Sequence, residues 1–260
     1  MRRRSVAYYG RIPDKPDRRD YKFEPPPLLA PLPPRIDLRR LCPPPFDQGN
    51  LGSCTANAVA AALMIDLRKQ RRPVEPLSRL FIYYHERVLE GTVRSDAGAQ
   101  ARDGMKVVAK LGVCTEGHWR YTPRNFRKEP PAKAYLNAID CRIAAYHRIS
   151  YDLRAMKTCL ASGYPFVFGF TVYESFEGTE VARTGTVELP KRHERTVGGH
   201  SVLAVGYDDA LRRFTALNSW GAHWGRRGYF TIPYDYLTNP GLAGDFWTAT
   251  MVLRVKPAKR

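Results

Sequence analysis

The stretch from Cys54 to Leu67 (Cys-Thr-Ala-Asn-Ala-Val-Ala-Ala-Ala-Leu-Met-Ile-Asp-Leu) constrains this chain most, because it is apolar on nearly every side of a helix. A helix with so little polar face has to be enclosed by other elements rather than laid on a surface. Arg68, Lys69, Arg71 and Arg72 suit its C-terminal end before Pro73. At its start, Ser53 is expected to be the N-cap, with Cys54 in the first turn. Unpaired N–H groups and the helix dipole favour negative charge there, so a thiol in that turn loses its proton more easily and becomes a nucleophile. The plainer reading is a buried structural cysteine, since free cysteine is among the most buried residues. Two later segments argue against it.

The first, Gly198-Gly199-His200-Ser201-Val202-Leu203-Ala204-Val205-Gly206-Tyr207, puts His200 at the head of an apolar strand. The second, Leu217-Asn218-Ser219-Trp220-Gly221-Ala222-His223-Trp224-Gly225, lies between a short strand ending at Leu217 and another from Gly228 to Ile232. A histidine at a strand end is by itself more often a hydrogen-bonded structural residue. The ordered set Gln48, Cys54, His200 and Asn218 is a far stronger signal. The rival histidines lack that context: His193 lies in a charge run, His85 in a helical pattern and His223 in a glycine-rich loop. No Cys-x-x-Cys or His-x-x-x-His pair exists, so zinc is discounted and no cofactor is expected.

From about Pro34 to the C-terminus these motifs resemble the papain-like cysteine peptidases (family C1): Gln six residues before the cysteine of Gly-Ser-Cys, Gly-His before a strand ending Val-Gly-Tyr, and Asn-Ser-Trp-Gly-x-x-Trp-Gly-x-x-Gly-Tyr. The resemblance implies an α+β fold. A helical N-terminal half with a central helix would pack against a C-terminal antiparallel β half, with the active site in the cleft between. It also implies peptide-bond hydrolysis by a Cys54 thiolate and His200 imidazolium oriented by Asn218. Gln48 and the Cys54 backbone N–H would form the oxyanion hole, and Trp220 would cover the His–Asn bond. Gly98 and Ala99 resemble the wall that pairs with substrate backbone. Gly198, beside Gly199, and Thr248 match positions around the pocket for the second side chain before the cut, where a sizeable apolar group is expected. Departures are Leu51 and Ala243, at places where the family carries half-cystines, and Thr55, where it carries tryptophan. With five cysteines in all, a fold independent of bridges is expected among Cys42, Cys114, Cys141 and Cys159.

The periodicity places further helices at Ser78–Leu89, about Ala99–Leu111 and Leu153–Ala161 behind Asp152, and strands at Phe166–Val172, Ser201–Tyr207, Phe214–Leu217, Tyr229–Ile232 and Thr248–Val255. Residues 35–260 read as the peptidase domain. Residues 1–34 are a separate basic, proline-rich extension, containing the run Pro25-Pro26-Pro27-Leu28-Leu29-Ala30-Pro31-Leu32-Pro33-Pro34 that favours polyproline II. Either residues near Tyr8 to Asp20 lie over the cleft as an inhibitory arm, or the segment merely wraps the surface.

A hydrophobic share of 43% over 260 residues is ample for a core, and no apolar run reaches the ~18–20 residues of a membrane span. Met1-Arg2-Arg3-Arg4 is followed by no apolar stretch, so no secretory signal is read; cytoplasmic residence and non-classical export both stay open. The net charge of +17 permits a weak polyanion or phosphate-bearing partner, but its spread along the chain favours a generally basic protein. A monomer acting on polypeptide substrate is expected. An acyl transferase and a basic binding module with a vestigial site are the alternative classes; the complete set Gln48, Cys54, His200, Asn218 and Trp220 argues against the second.

Overall fold

The apolar helix is enclosed as its composition demands: α1 (Cys54–Lys69) buries every residue from Cys54 to Leu67 in the computed structural model, which describes residues 9–24, 31–72, 74–250 and the backbone of 252–253. Before it lies a short strand, β1 (Arg35–Asp37). After it, α2 (Arg79–Leu89), α3 (Ala101–Lys110) and α4 (Ala132–Ala138) complete the helical half. Two of the predicted caps form: Ser78 Oγ accepts from Phe81 N at 3.1 Å, and Asp152 Oδ1 accepts from Ala155 N at 2.7 Å ahead of α5 (Leu153–Ala161). Ser53 occupies the N-cap position without capping. Its hydroxyl is engaged by Tyr121 Oη at 2.6 Å and Asn57 Nδ2 at 3.1 Å instead.

The remaining strands are β2 (Arg142–Ile143), β3 (Tyr146–Arg148), β4 (Phe166–Tyr173), β5 (Thr196–Asp208), β6 (Arg213–Leu217), β7 (Tyr229–Pro233), β8 (Ala243–Ala249) and β9 (Val252–Leu253). Two short helices, α6 (Thr179–Thr184) and α7 (Tyr234–Thr238), sit between them. Seven strands form one antiparallel sheet in the order β3-β8-β4-β5-β6-β7, with β1 on β5. Strand alternation then divides the core. Val167, Leu203, Val205, Leu217 and Trp247 pack in one cluster with the α1 side chains, while Phe166, Phe168, Phe170, Phe214, Phe230 and Phe246 fill a second, aromatic one. Each such buried side chain is worth roughly 1.5–3 kcal/mol.

The fold is therefore the α+β arrangement of a helical half against an antiparallel β half. One boundary moves: the last predicted strand begins at Ala243 rather than Thr248, because Ala243 and Gly244 pair with Phe170 and Gly169 of β4. Met251, Arg254 and Val255 of that prediction lie outside the described residues, as do Tyr8 and Pro25–Ala30 of the proline-rich extension. All five cysteines are free and buried.

Asp66 is the anomaly of α1. It is buried, neither carboxylate oxygen has a hydrogen-bond partner among the described residues, and burial pushes its carboxyl up to about 7 against the opposing pull of Lys69. A carboxyl raised above its unfolded value weakens the fold as pH climbs from about 4 through 7. Asp66→Asn is expected to match the wild type near pH 4 and to exceed its stability by about 1 kcal/mol or more at pH 8. Urea unfolding at both pH values checks this; parallel pH dependence in the two proteins would contradict it.

Candidate active site

Two short backbone pairings build the site. Asp47 bridges Trp220, Gln48 N donates to Ser219 O at 2.9 Å, and Gly221 N donates to Phe46 O at 2.8 Å, so the segment before α1 is stitched to the loop after β6. Meanwhile β5 and β6 pair with Leu203 opposite Leu217, which brings Asn218 alongside the head of β5, where His200 sits. The side chains follow. His200 Nε2 lies 2.8 Å from Asn218 Oδ1, and that same oxygen accepts from Ser219 N at 2.8 Å, which identifies it as the carbonyl oxygen of the amide. His200 therefore donates through Nε2. The Trp220 ring stacks on the imidazole at 5.0 Å between centroids, with both residues buried. Gln48 is buried too: its Oε1 accepts from Ser219 Oγ at 2.5 Å and its Nε2 donates to Leu51 O at 2.9 Å, leaving a second amide hydrogen on that nitrogen.

Cys54 lies in the first turn of α1, fully buried, with backbone N–H groups of Ser201, Gly10 and Thr55 facing its sulfur. The strand that carries His200 thus passes beside the cysteine. Burial nevertheless pushes the thiol up to about 11, and these amides only partly oppose it. The expected acidic thiol is not found in this state, because removal from water outweighs the helix terminus. Thr55, in place of the family's tryptophan, donates to the buried Glu86 carboxylate at 2.9 Å.

What covers the sulfur is the N-terminal extension. Gly10 packs so tightly over the loop before α1 that a Cβ there would fall 1.8 Å from Gly52 O. Ala99 N donates to Gly10 O at 2.7 Å, Ile12 N to Ala99 O at 3.0 Å and Arg11 N to Gly199 O at 3.1 Å; residues 11 and 99 form a parallel bridge. Tyr9 lays its ring against His200 and Trp220 and donates through its hydroxyl to Glu177 at 2.7 Å. A Cβ on Gly98 or Gly198 would collide with Gly10 or Tyr9 respectively. Arg11 donates twice to Asp245 Oδ2, from Nε at 2.9 Å and Nη2 at 2.7 Å. Further along, Asp14 accepts from Trp247 Nε1 at 2.6 Å, and Asp20 pairs with Arg102 and Arg148.

Gln48, Cys54, His200, Asn218 and Trp220 are thus gathered in one place, and Gly98, Ala99, Gly198 and Gly199 line the segment that covers them. Thr248 is not among them. It is buried in β8, and its hydroxyl donates to Pro165 O at 2.9 Å. Asp245, three residues earlier, is a β8 residue that meets the extension, at Arg11. Sequence reading missed Asp245, whose only signal is a charge inside an otherwise apolar strand. It also missed Asp96, which accepts from Gly52 N at 3.0 Å and from Tyr83 Oη and so holds the loop before the cysteine.

Residues 32–247 match the profile of papain family cysteine proteases. The chain belongs to the papain family. It is 42% identical, over 92% of its own length and 85% of the other's, to an uncharacterized peptidase C1-like protein of Acanthamoeba polyphaga mimivirus. A cathepsin B-like protein of Giardia intestinalis, CP3, is 30% identical over 73% of this chain and 64% of its own. Among solved structures, xylellain, a cysteine protease from Xylella fastidiosa, superposes with a TM-score of 0.88 at 43% identity, covering 98% of this chain and 99% of that one. As a papain-family member the protein is a cysteine endopeptidase. Among the described residues, no helix is long and apolar enough to cross a membrane.

A thiol held near 11 is almost entirely neutral at pH 7, and its thiolate fraction rises about tenfold per pH unit below that value. Iodoacetamide labelling of Cys54 in the intact chain is expected to be slow at pH 7 and still climbing at pH 9, read by peptide mass mapping. A plateau below pH 7 would contradict this account of the covered state.

Proposed function

We propose that Cys54 is the peptidase nucleophile, that His200 shuttles its proton, that Asn218 orients the imidazole, and that Gln48 with the Cys54 backbone N–H holds the oxyanion. The His200 Nε2–Asn218 Oδ1 bond beneath Trp220 carries this reading. With Nε2 committed to Asn218, Nδ1 is the nitrogen left to take the thiol proton, and the resulting imidazolium protonates the departing amine. The Asn218 oxygen is itself fixed by Ser219 N, so the ring direction is set before substrate arrives. Gln48 is held by Ser219 and Leu51, so its remaining N–H is preorganised. Donors fixed in this way favour the tetrahedral oxyanion over the flat carbonyl.

The N-terminal extension is, on this reading, an inhibitor that runs backwards. In a productive peptide the leaving amine lies on the side of His200 and Trp220, and the acyl part runs along Gly98 and Ala99. In the extension Tyr9, the N-terminal neighbour of Gly10, sits at Trp220, while Arg11 and Ile12 lie along the wall. The Gly10 carbonyl is bonded to Ala99 N rather than turned to Gln48. Such a segment fills the cleft without offering a bond to cut.

On protein freed of its extension, iodoacetamide at neutral pH is expected to label Cys54 selectively, and His200→Ala to abolish the selectivity. Gln48→Ala should lower kcat about 10²–10³-fold. Equal labelling of all five thiols would overturn the assignment. Removing residues 1–34 is expected to raise the hydrolysis rate of a small fluorogenic peptide at least tenfold; an unchanged rate would leave the extension as a surface wrap.

A further inference from the structure

Ser53 does not cap α1 and the first turn carries no acidic residue, so the turn that bears the cysteine is pinned from elsewhere. A side chain of α2 does this. Thr55, one residue after Cys54, donates through Oγ1 to Glu86 Oε2 at 2.9 Å, and both residues are wholly buried. The backbone N–H of the same Thr55 faces the Cys54 sulfur. Room for the carboxyl group is made on α3, where a Cβ on Gly104 would fall 2.5 Å from Glu86 Oε1 and 3.1 Å from Val59 Cγ2. Glu86 thus reaches from α2 into the seam between α1 and α3. Position 55 is also where the chain departs from its family, and the hydroxyl found there supplies the hydrogen bond that the buried carboxyl group takes.

The surroundings decide the charge of that group. Its Oε1 has no hydrogen-bond partner among the described residues. Arg87, next along the chain, gives its guanidinium to the carbonyl oxygens of Tyr83, Val93, Ser95 and Phe126 instead. Burial pushes the carboxyl well above the usual carboxylate range; Glu90 at the end of α2 and Asp103 on α3 push it the same way, and Thr55 and Arg87 oppose only in part. A carboxylate enclosed with one oxygen unbonded is costly enough to take up a proton. This suits the chemistry. A helix N-terminus favours negative charge nearby, and a carboxylate at position 86 would raise the Cys54 thiol further. With Glu86 neutral, the sulfur is the anion that the turn can serve.

Resting on the proposed Cys54 mechanism, we infer that Glu86 is a positioning residue for it: an uncharged hydrogen-bond partner that, through Thr55, fixes the first turn of α1 and the amide facing the sulfur. It acts through Thr55 and holds no proton that turnover moves. Two consequences separate this role from that of a charged residue or a mere core filler. An uncharged side chain that still accepts from Thr55 replaces Glu86 without loss. A side chain that fills the volume but cannot accept frees Thr55, and with it the turn.

The test starts with the intact chain. Infrared difference spectra of wild type minus Glu86→Gln at pH 7 are expected to show the carbonyl absorption of a protonated acid; an ionised-carboxylate absorption in its place overturns the proposal. Activity is then read on the full chain carrying a recognition site for an unrelated protease within residues 31–34, folded whole and then nicked. Glu86→Gln is expected to keep the wild-type kcat and the wild-type pH profile of Cys54 labelling by iodoacetamide. Glu86→Leu and Thr55→Val are each expected to lower kcat about 3- to 10-fold at unchanged KM, and the double variant to fall no further than the worse single one. Thr55→Val keeps the side-chain shape, so the reading stands on it should Glu86→Leu not fold. Activity lost in Glu86→Gln as in Glu86→Leu, a labelling profile moved to lower pH in Glu86→Gln, or losses that simply add, overturns the positioning role while leaving the peptidase reading intact. A wild type that neither turns over peptide nor labels at Cys54 overturns both.

Discussion

Everything functional in this protein depends on strand β5 being gripped on both faces. Leu203 and Val205 press toward α1, while Val202 and Ala204 enter the aromatic cluster, so the strand can neither slide nor rotate without emptying one core or the other. A one-residue slip would exchange the two sets and carry His200 to the wrong side. Pairing with β6 then determines where Asn218 falls, and the bridge from Asp47 to Trp220 determines where Gln48 falls. The chemistry is thus positioned by main-chain pairing and apolar packing, without a disulfide among the described cysteines.

The same cleft geometry underlies the proposal that the extension keeps the enzyme quiet. Glycine is the residue type that passes between Gly52 and Gly98 at position 10, since a side chain there would collide with backbone on the Gly52 side. Its neighbours reach outward to Glu177 and Asp245, so one residue without a side chain lies at the sulfur and two with long side chains hold it there. Burial raises the Cys54 thiol, and the Gly10 N–H of the extension is one of the amides that partly oppose that rise.

The large elements were legible because their signals are local. α1 announces itself by an unbroken apolar surface, α2 and α5 by Ser78 and Asp152, and β4 by alternating phenylalanines that meet one core while Val167 meets the other. Gln48, Cys54, His200, Asn218 and Trp220 were legible because each sits in a short motif of its own. What escaped depends on distant partners. Ser53 looks like a cap but is claimed by Tyr121, which lies 68 positions away. Thr248 matches the family's position in sequence, yet β8 carries an extra residue against β4 between Gly244 and Trp247, and it is Asp245 in that stretch that meets Arg11; no local pattern encodes a bulge. The start of β8 was missed because glycines at 241 and 244 read as a turn, although Gly244 lies within a paired strand.

The central claim is that one sulfur, at Cys54, carries the acyl group during turnover. Acid quenching of the extension-free enzyme in the first turnover of a peptide ester, followed by intact-mass and peptide mapping, tests it most directly. The account predicts a single acyl adduct on Cys54, absent from Cys54→Ala, which should not turn over the ester. An adduct on Cys42, Cys114, Cys141 or Cys159, or ester turnover persisting in Cys54→Ala, would contradict it.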